Sequence, residues 1–185
     1  MVFSQTELRT LGQKPISRTF SMVNESLLRA SSAKTPYVFL SHSSLDSDMA
    51  KGFVNKARDL GITVYFDLYD LTLQLPPSGD TAEKLRARIK HSSHFILLAT
   101  RNSVASSRWC PWELGCADGF CIPISIAQTK DENGQNWGAE YLQLYHSIEI
   151  GIDSSFNQRR MARMRPRTMN ESTSRFNNWC NSLIL

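Results

Sequence analysis

Apolar positions in the middle of the chain fall into two alternating patterns. Short continuous blocks rich in β-branched and aromatic residues predict buried strands: "YVFLS" (37–41), "ITVYFD" (62–67), "HFILLA" (94–99), "CIPISI" (121–126) and "LYHSIEI" (144–150). Between them run stretches with helical spacing. "DMAKGFVNKARDLG" (48–61) predicts an amphipathic helix that stops at a left-handed Gly61. "DTAEKLRARIKHS" (80–92) predicts a second, capped by Asp80 or Thr81, with Leu85 and Ile89 facing inward. A third carries "SSRWCPWELG" (106–115), and "NESTSRFNNWCNSLIL" (170–185) predicts a closing helix. Strands that are apolar throughout and alternate with helices predict an α/β fold, a doubly wound parallel sheet with right-handed crossovers. For five strands the expected order is 2-1-3-4-5.

Outside this pattern the chain reads differently. Residues 1–35 are polar and serine-rich and read as a loosely attached extension, in which "SMVNESLLRASSAK" (21–34) allows one amphipathic helical stretch with Met22, Leu27 and Leu28 on its apolar side. The domain proper is expected over 36–185. After the second strand a loop at 68–79 gathers Leu68, Leu71, Leu73 and Leu75 beside Pro76 and Pro77. Leucines in an irregular surface loop usually mark a contact, so self-association through Leu71, Leu73 and Leu75 is expected.

Charge changes the picture only locally. The 185 residues carry a formal charge of +4, but 157–170 holds five arginines and no acid, so the rest is near −1. A basic loop is expected there, and nucleic acid is not expected as a partner. The longest apolar run, "FILLA" (95–99), is too short to span a membrane, and "MVFSQTELRT" lacks the pattern of a secretory signal. The four cysteines form no CxxC pair and are expected to be reduced, in a cytoplasmic setting.

The chemistry should lie outside the carboxyl ends of strands 1 and 3, where the winding reverses. Strand 1 ends in "SHSSLD" (41–46), and strand 3 leads into the Trp–Glu helix. Ser41, His42, Ser43, Ser44 and Glu113 are therefore expected to converge. Trp109 and Glu113, four apart, share a helix face if the helix starts near Ser107; if it starts at Pro111, Glu113 lies near its positive end. Trp112 reads as core, Asp46 as the cap of the first helix, and His42 as either a turn residue or a ligand. No aspartate ends strand 3, no glycines follow strand 1, and no nucleophile elbow occurs. His91 and His94 are a weak metal signal, so no metal is expected. One carboxylate beside an aromatic suits the nicotinamide–ribose bond of NAD. Its leaving group starts as a cation and departs neutral, so no general acid is needed, whereas ordinary glycosides need two carboxylates.

Together "YVFLSHSSLD" (37–46), "GITVYFD" (61–67), "PSGDTAEKLRARIKHSS" (77–93) and "SSRWCPWELGCA" (106–117) resemble the Toll/interleukin-1 receptor (TIR) domain over about residues 36–150. The resemblance implies a flavodoxin-like fold and, in enzymatic members, NAD cleavage. It implies Glu113 as the catalytic glutamate and Ser41, His42, Ser43, Asp67, Trp109 and Cys110 as the NAD-binding set. It makes 68–79 the family's BB loop, which mediates assembly, although the loop here is longer and more leucine-rich than the family's. A small stand-alone TIR protein is similar to the TIR component of Thoeris antiviral systems, which makes a cyclic ADP-ribose isomer sensed by a separate effector. NAD would be substrate, with no further cofactor. The alternatives are a non-enzymatic TIR adaptor that needs no carboxylate, and another N-glycoside enzyme of the deoxyribosyltransferase kind.

Overall fold

A computed structural model describes residues 2–15, 37–60, 62–70, 72–73, 78–137, 140–153 and 158–164, with the backbone alone at 140, 149–153 and 158–164. The expected helices at 21–34 and 170–185 lie outside the described residues, as does Gly61.

Five strands form the parallel sheet: β2 (Val38–Ser41), β3 (Val64–Tyr65), β4 (His94–Ala99), β5 (Ile124–Lys130) and β7 (His146–Asp153). Their spatial order is β3-β2-β4-β5-β7, the expected 2-1-3-4-5. The register sets Val38 beside Val64 and His94, and Ser41 beside Leu97. The order reverses between β2 and β4, which makes their carboxyl ends the topological switch point of the sheet. Helices α2 (Ser47–Arg58), α3 (Gly79–His91) and α4 (Trp109–Gly119) make the crossovers.

Period-2 alternation sorts the strand residues between two cores. Val38, Leu40, Ile96 and Leu98 pack with Met49, Phe53 and Val54 of α2. Phe39, Phe95, Leu97 and Ala99 pack with Leu85 and Ile89 of α3 and with Cys110 and Leu114 of α4. Phe95 stacks on Phe39 at 5.6 Å, and Phe39 on Tyr65 at 5.2 Å. By this alternation Ser41 points to the α4 side, and Thr100, the residue after β4, to the α2 side.

Residues 2–15 of the N-terminal segment are not loosely attached. Phe3–Ser4 (β1) pairs with Thr129 and Lys130 of β5, and α1 (Gln5–Gly12) follows directly. Ser4 caps α1 by accepting from the Glu7 N–H at 3.3 Å, and Leu8 is 1% exposed within the α2-side core. A Cβ on Gly12 would meet the Asp48 carbonyl oxygen at 1.9 Å, and one on Gly52 the Leu8 carbonyl oxygen at 1.9 Å. The two helices thus cross backbone to backbone, a separation only glycine permits. A Ser-x-x-Glu start with Leu8, Leu11 and Gly12 behind it was the available sequence signal.

Two other expectations change. The helix at 79–91 is capped at Ser78, whose N–H donates to the Thr81 hydroxyl at 3.2 Å, rather than at Asp80 or Thr81. Residues 158–164 of the arginine-rich segment form β8, antiparallel to β7 at the sheet edge, instead of a loop. A hairpin follows β5: Asn136–Trp137 (β6) pairs back onto Thr129 and Lys130 through a turn with Gly134 at φ 82°. Its Asn133-Gly134 dipeptide is a hairpin signal in the sequence.

Candidate active site

Helix α4 starts at Trp109, so Pro111 falls in the first turn, where its missing N–H costs nothing. Ser107 supplies the cap, accepting from the N–H groups of Trp109 (3.2 Å) and Cys110 (3.1 Å). This start turns Glu113 inward, where it is 5% exposed. Its Oε2 accepts a hydrogen bond from Ser41 Oγ at 2.6 Å. Burial pushes the Glu113 acid up to about 8; the Ser41 bond opposes this, and the negative charge of Asp67 adds to it. At neutral pH the acid is therefore mostly protonated, although the sequence reading expected a charged carboxylate.

Around this pair the expected residues divide. Trp109 is half-buried and meets Trp112 edge-on at 5.4 Å. Trp112 packs against the core, with the Arg86 guanidinium 5.7 Å above its ring. Cys110 is completely buried under Glu113; burial and the neighbouring carboxylate push its thiol up to about 11, which leaves it a neutral core group. The His42 side chain is 3% exposed, with its ring 4.9 Å from Phe66 and its Nδ1 3.5 Å from Asp67 Oδ1. Both of these atoms are buried with no hydrogen-bond partner. The two face each other too far apart for a hydrogen bond, and buried polar atoms left without one are costly.

Two of the expected convergent serines lie in the turn that follows β2. Ser43 is 7% exposed and accepts from the Leu45 N–H at 3.3 Å, which caps a short turn of 3₁₀ helix. Ser44 is exposed, and its carbonyl accepts from Ser47. The hydroxyl of Ser43 is spent on the backbone, as serine hydroxyls in turns commonly are. Asp46 holds the N-cap position of α2 without capping it. Its carboxylate instead accepts from Thr100 Oγ1 and, at 2.8 Å, from Asn102 Nδ2.

The loop after β3 is tied down at its start. Asp70, 3% exposed, accepts from Tyr65 Oη (2.6 Å), Thr72 Oγ1 (2.6 Å) and the Thr72 N–H (3.0 Å), with Arg88 Nε at 3.4 Å. Burial raises its acid, but these donors outweigh burial and hold it below the usual carboxylate range. Sequence reasoning passed over this anchor. Leu73, expected to face a neighbour, is instead partly buried against the α3–α4 core, whereas Leu68 is 49% exposed. Leu71 and Leu75 lie outside the described residues. Among the described residues no group of three or more His, Cys, Asp or Glu could hold a metal ion, and no helix is long and apolar enough to cross a membrane.

A five-stranded doubly wound sheet with a buried Trp–Glu helix at its switch point is the architecture of TIR domains, and the TIR domain family model matches residues 38–155. The chain belongs to this family. Over 119 residues it is 35% identical to the probable 3′ cyclic ADP-D-ribose synthase ThsB′ of Bacillus cereus (strain MSX-D12), an alignment that covers 62% of this chain and 61% of that protein.

Proposed function

We propose that this TIR domain cleaves the nicotinamide–ribose bond of NAD, with Glu113 as the catalytic carboxylate. The observation that carries the reading is the fully buried acid held by Ser41 at the carboxyl edge of the sheet. A carboxyl group lifted to about 8 by burial destabilises the fold, and an adaptor acting by surface contact gains nothing from it. Likeness to a cyclic ADP-D-ribose synthase points to the same substrate class.

The protonation state suits the substrate. Entry of the cationic pyridinium beside Glu113 favours the carboxylate, so the acid gives up its proton as NAD binds. The C1′–N bond then breaks with its electron pair passing to the nitrogen, and neutral nicotinamide leaves. Glu113 stabilises the cationic ribose that forms. Water adds at C1′, losing a proton, to give ADP-ribose; a hydroxyl or ring nitrogen of the same nucleotide adds to give a cyclic isomer. His42 and Asp67, whose facing Nδ1 and Oδ1 complete no hydrogen bond, supply polar contacts beside the acid, Ser41 keeps the carboxylate aimed, and Trp109 offers an aromatic face. The NAD-contacting set is thus Glu113, Ser41, His42, Asp67 and Trp109, with Ser43 and Cys110 acting structurally. NAD serves as substrate and no resident cofactor is invoked. The product would be a cytoplasmic antiviral signal read by a separate effector, and the loop at 68–79 would join copies of the enzyme.

Incubating purified protein with NAD and resolving nicotinamide and the nucleotide product by chromatography and mass spectrometry tests this. Release of nicotinamide that falls at least ~10²-fold in Glu113→Gln is expected, the usual loss for one electrostatic stabiliser. No release at any protein concentration would overturn the reading and leave the adaptor or another N-glycoside enzyme.

A further inference from the structure

A second cleft opens on the opposite face of the sheet from Glu113, at the same carboxyl edge. Its volume is about 480 Å³, and it is lined by α1, the turn after β2, the turn after β4 with Arg101, and the β5–β6 hairpin with Asn133, Gln135 and Trp137. We infer that this cleft is a binding site for a nucleoside monophosphate, separate from the Glu113 site. The inference does not rest on NAD cleavage.

Its walls are preorganised. Asp46 and Thr100, each 1% exposed, bond each other, and Asn102 Nδ2 closes on the second Asp46 oxygen. Ser103 Oγ accepts from the Thr100 N–H at 2.9 Å and donates to the Leu98 carbonyl at 2.7 Å. Thr129 Oγ1 donates to the Ala99 carbonyl at 2.6 Å and accepts from Gln5 Nε2 at 2.9 Å, which ties α1 to the sheet. In the hairpin, Asp131 Oδ1 accepts from the N–H groups of Asn133 (3.0 Å) and Gln135 (2.9 Å), while Oδ2 accepts from Trp137 Nε1 at 3.3 Å. Sites held by such supporting bonds bind without paying to order themselves.

What stays unengaged identifies the ligand. Both carboxylates turn their oxygens to internal donors, and Arg9 pairs with Asp48. Among the described residues, Arg101 has no ionic partner, and the side-chain amides of Asn133 and Gln135 have no hydrogen-bond partner. A guanidinium presents a fork matched to phosphate oxygens. The Trp137 indole offers a stacking surface for a base, and free amides suit base edges and ribose hydroxyls. Phosphate alone would leave the indole and most of the volume unused, and a neutral nucleoside would leave the arginine unanswered.

Isothermal titration with AMP tests the inference on the full chain. One-site binding is expected in the wild type, and undiminished binding in Glu113→Gln. Arg101→Ala should weaken it at least tenfold, and Trp137→Ala by about 5–150-fold, the range that stacking of one base supplies. Circular dichroism checks the fold of each variant, and Arg101 is exposed, so its loss should not disturb packing. Absence of AMP binding at millimolar concentration overturns the inference. So does binding that survives both Arg101→Ala and Trp137→Ala, or inorganic phosphate binding as tightly as AMP.

Discussion

Ser41 Oγ lies 2.6 Å from Glu113 Oε2 and donates to it, joining the end of β2 to the second turn of α4. Burial raises the Glu113 acid and this bond restrains the rise, so the balance leaves it near 8, inside the physiological range. The carboxylate form is the one that stabilises a cationic ribose. NAD cleavage measured as kcat/KM should therefore climb from pH 6 and level off above about 8, while kcat, reporting the complex with a bound cation, should level off at lower pH.

Removing the bond should move that limb. In Ser41→Ala the anion loses its one side-chain donor among the described residues, so the kcat/KM limb should shift to higher pH. At pH 7 the rate should fall by about tenfold or more, since a hydrogen bond to a charged group is worth ~1.5–3 kcal/mol. A pH–rate profile decides the point; a limb that stays in place would mean that Glu113 is not the group that titrates.

Glu113 should also leave its mark on stability. Its folded value lies above its unfolded value of 4.5, so between those values the folded state holds the extra proton. The stability it permits is present below about pH 4.5 and is lost as pH rises toward about 8. Glu113→Gln removes the penalty, and urea denaturation should show the variant gaining on the wild type from pH 5.5 to 8.5, by on the order of a few kcal/mol at the upper end. A gap that does not change with pH would contradict the buried-acid assignment.

The contact of α1 with α2 should be intolerant of a single methyl. Gly52→Ala places its Cβ 1.9 Å from the Leu8 carbonyl oxygen, a backbone atom that cannot move without the whole of α1. A loss of about 2 kcal/mol is expected, with α1 lifted from the sheet. Trypsin should then cut after Arg9 far faster than in the wild type, and AMP binding should weaken because Gln5 and Arg9 leave the second cleft. Equal cleavage rates would show that α1 does not depend on this crossing.

Self-association, if it builds the active state, should run through Leu68. This leucine is 49% exposed, while Leu73 is spent on the domain's own core. Specific activity should rise with protein concentration or crowding, and Leu68→Asp should abolish the rise while circular dichroism stays unchanged. Specific activity that is flat in the wild type across a wide concentration range would remove the loop from the mechanism.

The strand blocks and helical spacings alone carried the sheet order, because a strand covered on both faces must be apolar throughout and the connections between such strands have one hand. Strand 4 was placed a few residues early, at 121–126 against the observed 124–130, since "CIP" continues the apolar run before pairing begins. Glu113 and Trp109 were legible from spacing and family motif. The partners of neighbouring residues were not. Ser41 and Ser43 look alike in "SHSS", yet period 2 sends Ser41 to the α4 face, while the turn beyond β2 claims the Ser43 hydroxyl for its own backbone. Nothing local distinguishes a Leu68 in solvent from a Leu73 on the core. The second cleft was least legible of all. Its lining comes from four separated segments, and its crowded wall depends on two glycines, Gly12 and Gly52, that mean little until the two helices are seen to cross. Local pattern fixes which face of an element is apolar; which polar atoms are left over depends on what long-range packing has already satisfied.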